Sequence, residues 1–139
     1  MDKNYELFEH TADLGIKVRA KDLRELFKNA GLALFDIIAK EQKKQDTPAL
    51  AININQRADN LEELFINWLN ELLSLSSTKE LIFTDFKIDK LDKNSLSATA
   101  FGSGMKDYKV NVEVKAATYH ELKIEETPSG WQAKVILDV

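Results

Sequence analysis

Two stretches of this chain repeat apolar residues every three or four positions, and they constrain what the rest can become. In the first, Leu23, Leu26, Phe27, Ala30, Leu34, Ile37 and Ile38 form one stripe, the period of an amphipathic helix. Asp22 stands where a cap belongs and Glu25 follows three residues later, an acidic form of the capping box. In the second, Leu61, Leu64, Phe65, Trp68, Leu69, Leu72 and Leu73 form the stripe. Asp59, with Glu62 three residues on, predicts its start, and "SLSST" predicts its end. Each stripe must be buried against another layer of structure.

The remaining segments supply that layer as strands. "YELFE" and "GIKVRA" flank "HTADL", which joins or bends them; in the second, Ile16, Val18 and Ala20 alternate with Lys17 and Arg19. "ALAININ" sets Leu50, Ile52 and Ile54 against Ala51, Asn53 and Asn55. After Lys79 come "LIFTDFKI", "SLSATAFG", "YKVNVEVKA", "YHELKIEE" and "WQAKVILD", with turn signals at "DKN", "GSGMKD" and "TPSG". "YKVNVEVKA" alternates at Val110, Val112 and Val114, but its flanks leave its ends open. The expectation is one α+β domain spanning residues 1–139, with two amphipathic helices packed on a mostly antiparallel or mixed β-sheet. "LRELFKNA" and "LEELFINW" echo each other, either as two strand–helix units built alike or as two independent helices with similar caps.

Composition excludes several kinds of chemistry. The 139 residues contain no cysteine, which removes disulfides, thiolate nucleophiles, zinc ribbons and iron–sulfur clusters. Two histidines do not make a nitrogen-rich metal site, so a bound metal would rest on oxygen ligands. A net charge of −4 opposes an extended phosphate-binding face. The densest basic run, Lys43 and Lys44 in "KEQKKQDTP", reads as a solvated loop, and Pro48 stops helical continuation there. No apolar run is long enough to span a bilayer and "MDKNYELFEH" lacks a signal-peptide pattern, so a cytoplasmic location and no membrane contact are expected.

The polar residues that invite a function sit near the two ends. "EHTADLG" packs His10, Thr11 and Asp13 between apolar runs, and "KVILDV" places Asp138 beside Val139, whose free carboxylate adds an anion where the chain ends natively. If the last strand pairs beside the first, these anions crowd together and call for a cation or a proton. Taken alone, Asp13 reads more readily as a turn former than as a ligand. His10 and His120 suit a general base, a metal ligand, a phosphate contact or a structural residue. Lys115, in "EVKAATYH", either blunts an edge strand or aims an ammonium at phosphate or carboxylate. "GSG" at Gly102–Gly104 lacks the lysine and strand-to-helix context of a phosphate loop and reads as a flexible connection. Trp68 and Trp131 fall on apolar patterns and read as core.

Together, "YELFEHTADLGIKVRA", the helix ending "ALFDII" and the terminal "VKAATYHELKIEETPSGWQAKVILDV" closely resemble the archease family. The resemblance covers essentially the whole chain and is most specific in the two end motifs. It implies an accessory protein of the RtcB-type tRNA-splicing RNA ligase rather than a catalyst. Such a protein promotes guanylylation of the ligase with GTP, enables multiple turnover and can broaden nucleotide specificity, meeting tRNA or other RNA only indirectly. It also implies a divalent-metal site at Asp13, Asp138 and Val139, with calcium first and magnesium or manganese as alternatives. Lys115, His10 and His120 are implied to act in activation of the partner. Two other classes stay open: a stand-alone metal-dependent phosphoesterase, and a chaperone-like binding module for nucleic-acid enzymes.

Overall fold

The computed structural model describes residues 3–10, 13–41 and 49–139. The readings of Lys43, Lys44 and Pro48 therefore lie outside the described residues, as do Thr11 and Ala12.

Both amphipathic stripes fold as helices. In α1 (Leu23–Ile38), the Asp22 carboxylate accepts a hydrogen bond from the Glu25 amide at 2.8 Å, which satisfies one of the donors a helix start leaves open. In α2 (Leu61–Lys79) the cap is Asn60, not the expected Asp59. The Asn60 amide oxygen accepts from the Glu63 N–H at 2.8 Å, the same three-residue spacing as in α1. Nor does "SLSST" end α2. Ser76 is buried with its hydroxyl donating to the Leu81 carbonyl, and Thr78 donates to the Ser74 carbonyl at 2.9 Å. The helix stops only where Glu80 turns left-handed at φ 53°.

The echo between the helices has a structural counterpart. Leu23, Glu25, Leu26, Phe27 and Asn29 match Leu61, Glu63, Leu64, Phe65 and Asn67 position for position from identically spaced caps. The equivalent rings Phe27 and Phe65 meet edge to face, 5.2 Å apart at 88°. Trp68 is fully buried and donates its indole N–H to the Phe27 carbonyl at 2.9 Å, tying α2 to α1.

Among the described residues, nine strands surround this pair: β1 (Tyr5–His10), β2 (Asp13–Ala20), β3 (Ala39–Glu41), β4 (Leu50–Arg57), β5 (Leu81–Leu91), β6 (Ser95–Gly104), β7 (Tyr108–Val110), β8 (Ala116–Thr127) and β9 (Gly130–Asp138). Among the described residues every pairing is antiparallel. The strands divide into a four-stranded sheet, β1-β2-β9-β8, a three-stranded sheet, β4-β6-β5, and a short β3-β7 ladder. Helix α1 packs on β2 and β5 while α2 packs on β8, β5 and β4, so one helical layer serves both larger sheets. Phe27, Phe65, Trp68, Phe83 and Phe86 are the largest side chains in the shared core. Truncating any of them to alanine costs about 3–5 kcal/mol.

Two segments differ from expectation. Gly102–Gly104 is the end of β6, not a flexible connection. A Cβ on Gly102 would lie 2.9 Å from the Phe83 ring, so glycine there makes room for a core aromatic. "YKVNVEVKA" is not one strand: Tyr108–Val110 is β7, its last residue Ala116 opens β8, and residues 111–115 between them are not strand. The amides of Asn111 and Val112 both point at the Ile38 carbonyl, at 2.7 and 3.3 Å, satisfying the end of α1 instead of continuing a ladder. The "TPSG" turn does join β8 to β9, and Gly130 there has φ 144°, open to glycine but strained for other residues. Among the described residues no helix is long and apolar enough to cross a membrane.

Candidate functional site

The strand order β1-β2-β9-β8 brings both end motifs to one end of one sheet. The backbone of His10 pairs with Asp13, and Leu14 pairs with Leu137. One step further along that ladder Asp13 stands across from Asp138, which itself pairs with Ala116 on its other side. The Lys115 amide donates to the Asp138 carbonyl at 2.8 Å. Residues opposite each other in an antiparallel pair share a face, so the Asp13 and Asp138 carboxylates leave the sheet on the same side. Asp13 is half-buried, whereas Asp138, Val139 and Lys115 are exposed. Four of the six residues singled out in the sequence thus converge, and the backbone of a fifth, His10, ends at the same place.

His120 lies apart. The β8–β9 register runs from Thr118↔Ile136 directly to Lys123↔Lys134, five steps on β8 against two on β9. The excess is taken up by Tyr119–Leu122, where Glu121 adopts φ 53° and both Tyr119 and His120 are exposed. Irregularities of this kind bend a strand and re-aim its side chains. His120 therefore stands on the same strand as the acidic end but outside the pairing that unites Asp13 with Asp138.

Three supporting residues were not foreseen from sequence. Asn70, on α2, clamps the start of β8 with its whole amide: its nitrogen donates to the Ala117 carbonyl at 3.1 Å and its oxygen accepts from the Ala117 N–H at 2.8 Å. Gly15 pairs with Phe8 and with Ile136, and a Cβ on it would come within 2.2 Å of the Phe8 ring. The ring thus occupies the space a side chain at position 15 would need, two residues from the acidic step. Lys134 completes this layer with its ammonium 4.7 Å from the Phe8 ring centre. Farther along, Glu6 pairs with Arg19 at 2.7 Å and with Lys17 at 3.9 Å. A glycine inside a strand pattern was the one available signal, since it marks a close approach.

The donors at the sheet end are oxygens. Among the described residues no cluster of three or more His, Cys, Asp or Glu side chains gathers as a metal cage. Two aspartates directly across a ladder repel unless something neutral or positive lies between them. Oxygen donors of this kind, two aspartates with Val139 next in sequence, suit a hard divalent ion that keeps part of its water shell better than zinc in a closed tetrahedron.

A separate hollow of about 400 Å³ lies between β1, α1 and β5, and none of the six residues lines it. At its rim the Tyr5 hydroxyl donates to the Asp36 carboxylate, and Lys3 lies 3.2 Å from the same group. The Tyr5 hydrogen bond holds the Asp36 carboxyl below its ordinary pKa, and burial pushes the Tyr5 phenol above its own. This latch joins β1 to α1.

Comparison with known proteins bears on this arrangement. Residues 5–139 match the archease protein family (MTH1598/TM1083). Protein archease of Methanosarcina barkeri is 35% identical, the alignment covering 99% of this chain and 97% of that one. Protein archease of Pyrococcus abyssi is 37% identical with 99% of each covered. The solution structure of Methanobacterium thermoautotrophicum protein 1598 superposes with a TM-score of 0.74 at 31% identity, over 99% of this chain and 100% of that one. A crystal structure from Thermotoga maritima, described as an archease and possible chaperone, has a TM-score of 0.62 over 95% of this chain and 94% of that one. At 21% identity it speaks for the fold alone.

Proposed function

The chain belongs to the archease family, and from that premise we propose that it activates an RtcB-type RNA ligase. In this reading it promotes guanylylation of the ligase with GTP, supports multiple turnover and broadens the nucleotides accepted. Catalysis belongs to the ligase, and RNA is met only through it. The observation that carries the proposal is the convergence of Asp13, Asp138 and Lys115 at one exposed sheet end, from motifs more than a hundred residues apart in sequence.

In this reading Asp13, Asp138 and the terminal Val139 would hold a divalent cation, calcium by preference. When bound, that ion supplies positive charge beside phosphate oxygens or partner carboxylates. The chain's own residues set the geometry. Asp138 is held from the β8 side, by its pairing with Ala116 and by the Lys115 amide. The Lys115 ammonium, which is exposed, can reach a triphosphate, where it offsets charge that grows as pyrophosphate leaves. Asn70 fixes the strand from which Lys115 emerges. His10 and His120 serve as neighbouring contacts to the partner. An acidic protein offering its metal-bearing end suits a basic, metal-containing ligase cleft.

The reading is tested by following covalent transfer of labelled guanylate to a cognate ligase. Wild-type protein is expected to accelerate the transfer. Asp13→Ala and Lys115→Ala are expected to remain folded, by far-UV circular dichroism, yet to lose the effect. Equal acceleration by both variants would sink the proposal. A general chaperone role instead predicts metal-independent binding to unrelated nucleic-acid enzymes.

A further inference from the structure

The outer face of the four-stranded sheet carries a row of charge that its acidic end does not use. Across β1, β2, β9 and β8 the directly opposed residues are Glu6, Lys17, Lys134 and Lys123. Ile16 and Val18 flank Lys17, Ala133 and Val135 flank Lys134, and all four are fully buried in the core shared with the helices. Strand alternation therefore turns the lysines to the opposite, outward face. Lys17 and Lys134 are half-buried there and Lys123 is exposed.

Like charges directly across a ladder destabilise a sheet, and here two such pairs share Lys134. The nearby carboxylates serve its neighbours. Glu6 lies 2.7 Å from Arg19 and 3.9 Å from Lys17, and Glu125 lies 3.4 Å from Lys123. Among the described residues Lys134 meets no carboxylate; its ammonium stands 4.7 Å from the Phe8 ring centre. Four cations thus share two carboxylates, on a chain whose net charge is −4. Neighbouring strands are about 4.8 Å apart, so the three lysine positions span about 10 Å. The row is also short. Glu6 closes it on β1, Glu125 stands beside it on β8, and Asp13 and Asp138 lie about 13 Å along the strands on the same face. A long polyanion laid over this face would meet those carboxylates. An ion of two or three linked phosphates covers the lysines alone.

We propose that Lys17, Lys134 and Lys123 form a binding site for a condensed phosphate chain, free or carried on a nucleotide. The anion supplies the negative charge that the row lacks, and three ammonium groups hold it as point charges. Lys134, central and without a carboxylate, meets the middle of the chain while Lys17 and Lys123 bracket it. None of the residues assigned to ligase activation takes part, so the site does not rest on that reading.

Thermal unfolding at fixed ionic strength, in buffer stripped of divalent metal, tests this. Tripolyphosphate is expected to raise the wild-type midpoint by at least about 5 °C at a hundredfold excess over its dissociation constant. Orthophosphate, too short to span the row, is expected to bind at least about tenfold more weakly. Lys134→Gln is expected to lose the response, and Lys87→Gln, on the three-stranded sheet, to keep it. Lys134→Glu sets a carboxylate between Lys17 and Lys123 in place of the anion. Its midpoint without ligand is expected to match or exceed that of wild type, with no shift on adding tripolyphosphate. GTP identifies the source. Tighter binding of GTP than of tripolyphosphate assigns the site to a nucleotide, equal or weaker binding assigns it to the phosphate chain itself, and both uphold it. No shift with either ligand, an equal shift with orthophosphate, or a shift retained by Lys134→Glu would overturn the proposal. So would a response to single-stranded RNA alone.

Discussion

At the residue scale, a close approach of ring to backbone marks the strand that carries Asp13. The Phe8 ring lies where a Gly15 side chain would be. Because the ring's far end makes the contact, it can swing aside. Gly15→Ala is therefore expected to destabilise the protein by about 1 kcal/mol, at the low end of overpacking costs. The more specific signature is non-additivity: Phe8→Ala removes the clash, so the double variant should be less destabilised than the sum of the two single ones. Urea titration of the four proteins checks this. The Tyr5–Asp36 latch makes a pH-dependent prediction. A carboxyl whose folded pKa is depressed contributes stability above its unfolded pKa and loses it as pH falls through the folded value. Asp36 is such a group, with Tyr5 the first cause. Near neutral pH, Tyr5→Phe is expected to cost about 0.5 kcal/mol, low because the pair is exposed. The gap between wild type and variant should close on acidification below the ordinary carboxylate range, and also at alkaline pH as the phenol, raised above its ordinary value, ionises. Denaturation midpoints at acidic, neutral and alkaline pH decide it.

At the scale of elements, sequence was most informative where periodicity and capping agree. Both helices, the "TPSG" hairpin and most strands follow from apolar spacing and turn residues. The α2 start was misplaced by one residue because Asp59 and Asn60 are both good caps, and only backbone direction selects between them. Accordingly Asn60→Ala is expected to cost about 1 kcal/mol, and Asp59→Ala much less. Thermal unfolding of the two variants separates the assignments. The end of α2 was hidden because serines in "SLSST" look like a stop, whereas Ser76 is buried against the start of β5. "YKVNVEVKA" alternates like a strand, but its amides serve the last turn of α1, a tertiary demand that alternation does not record. At the site, Asp13, Asp138 and Lys115 were visible as residue types. Their convergence needed strand order, which no local pattern contains. Asn70 was invisible because an asparagine within a helix gives no sign of clamping a strand.

At the scale of the whole molecule, one helical layer supports two sheets, and the four-stranded one carries two surfaces of opposite charge. The acidic pair lies at its end, and the lysine row lies farther along the same strands. The cation reading predicts that calcium stabilises wild-type protein, by about 2.7 kcal/mol at a hundredfold excess over its dissociation constant. Asp138→Asn should lose that gain, and thermal shift with and without chelator reads it. The most direct test of the central claim is multiple-turnover RNA ligation with a limiting, cognate RtcB-type ligase, GTP and manganese. Product beyond one equivalent of ligase in the presence of wild-type protein, but not of Asp138→Ala, is the predicted result. No gain from folded, calcium-loaded wild type, or an equal gain from Asp138→Ala, would contradict the account.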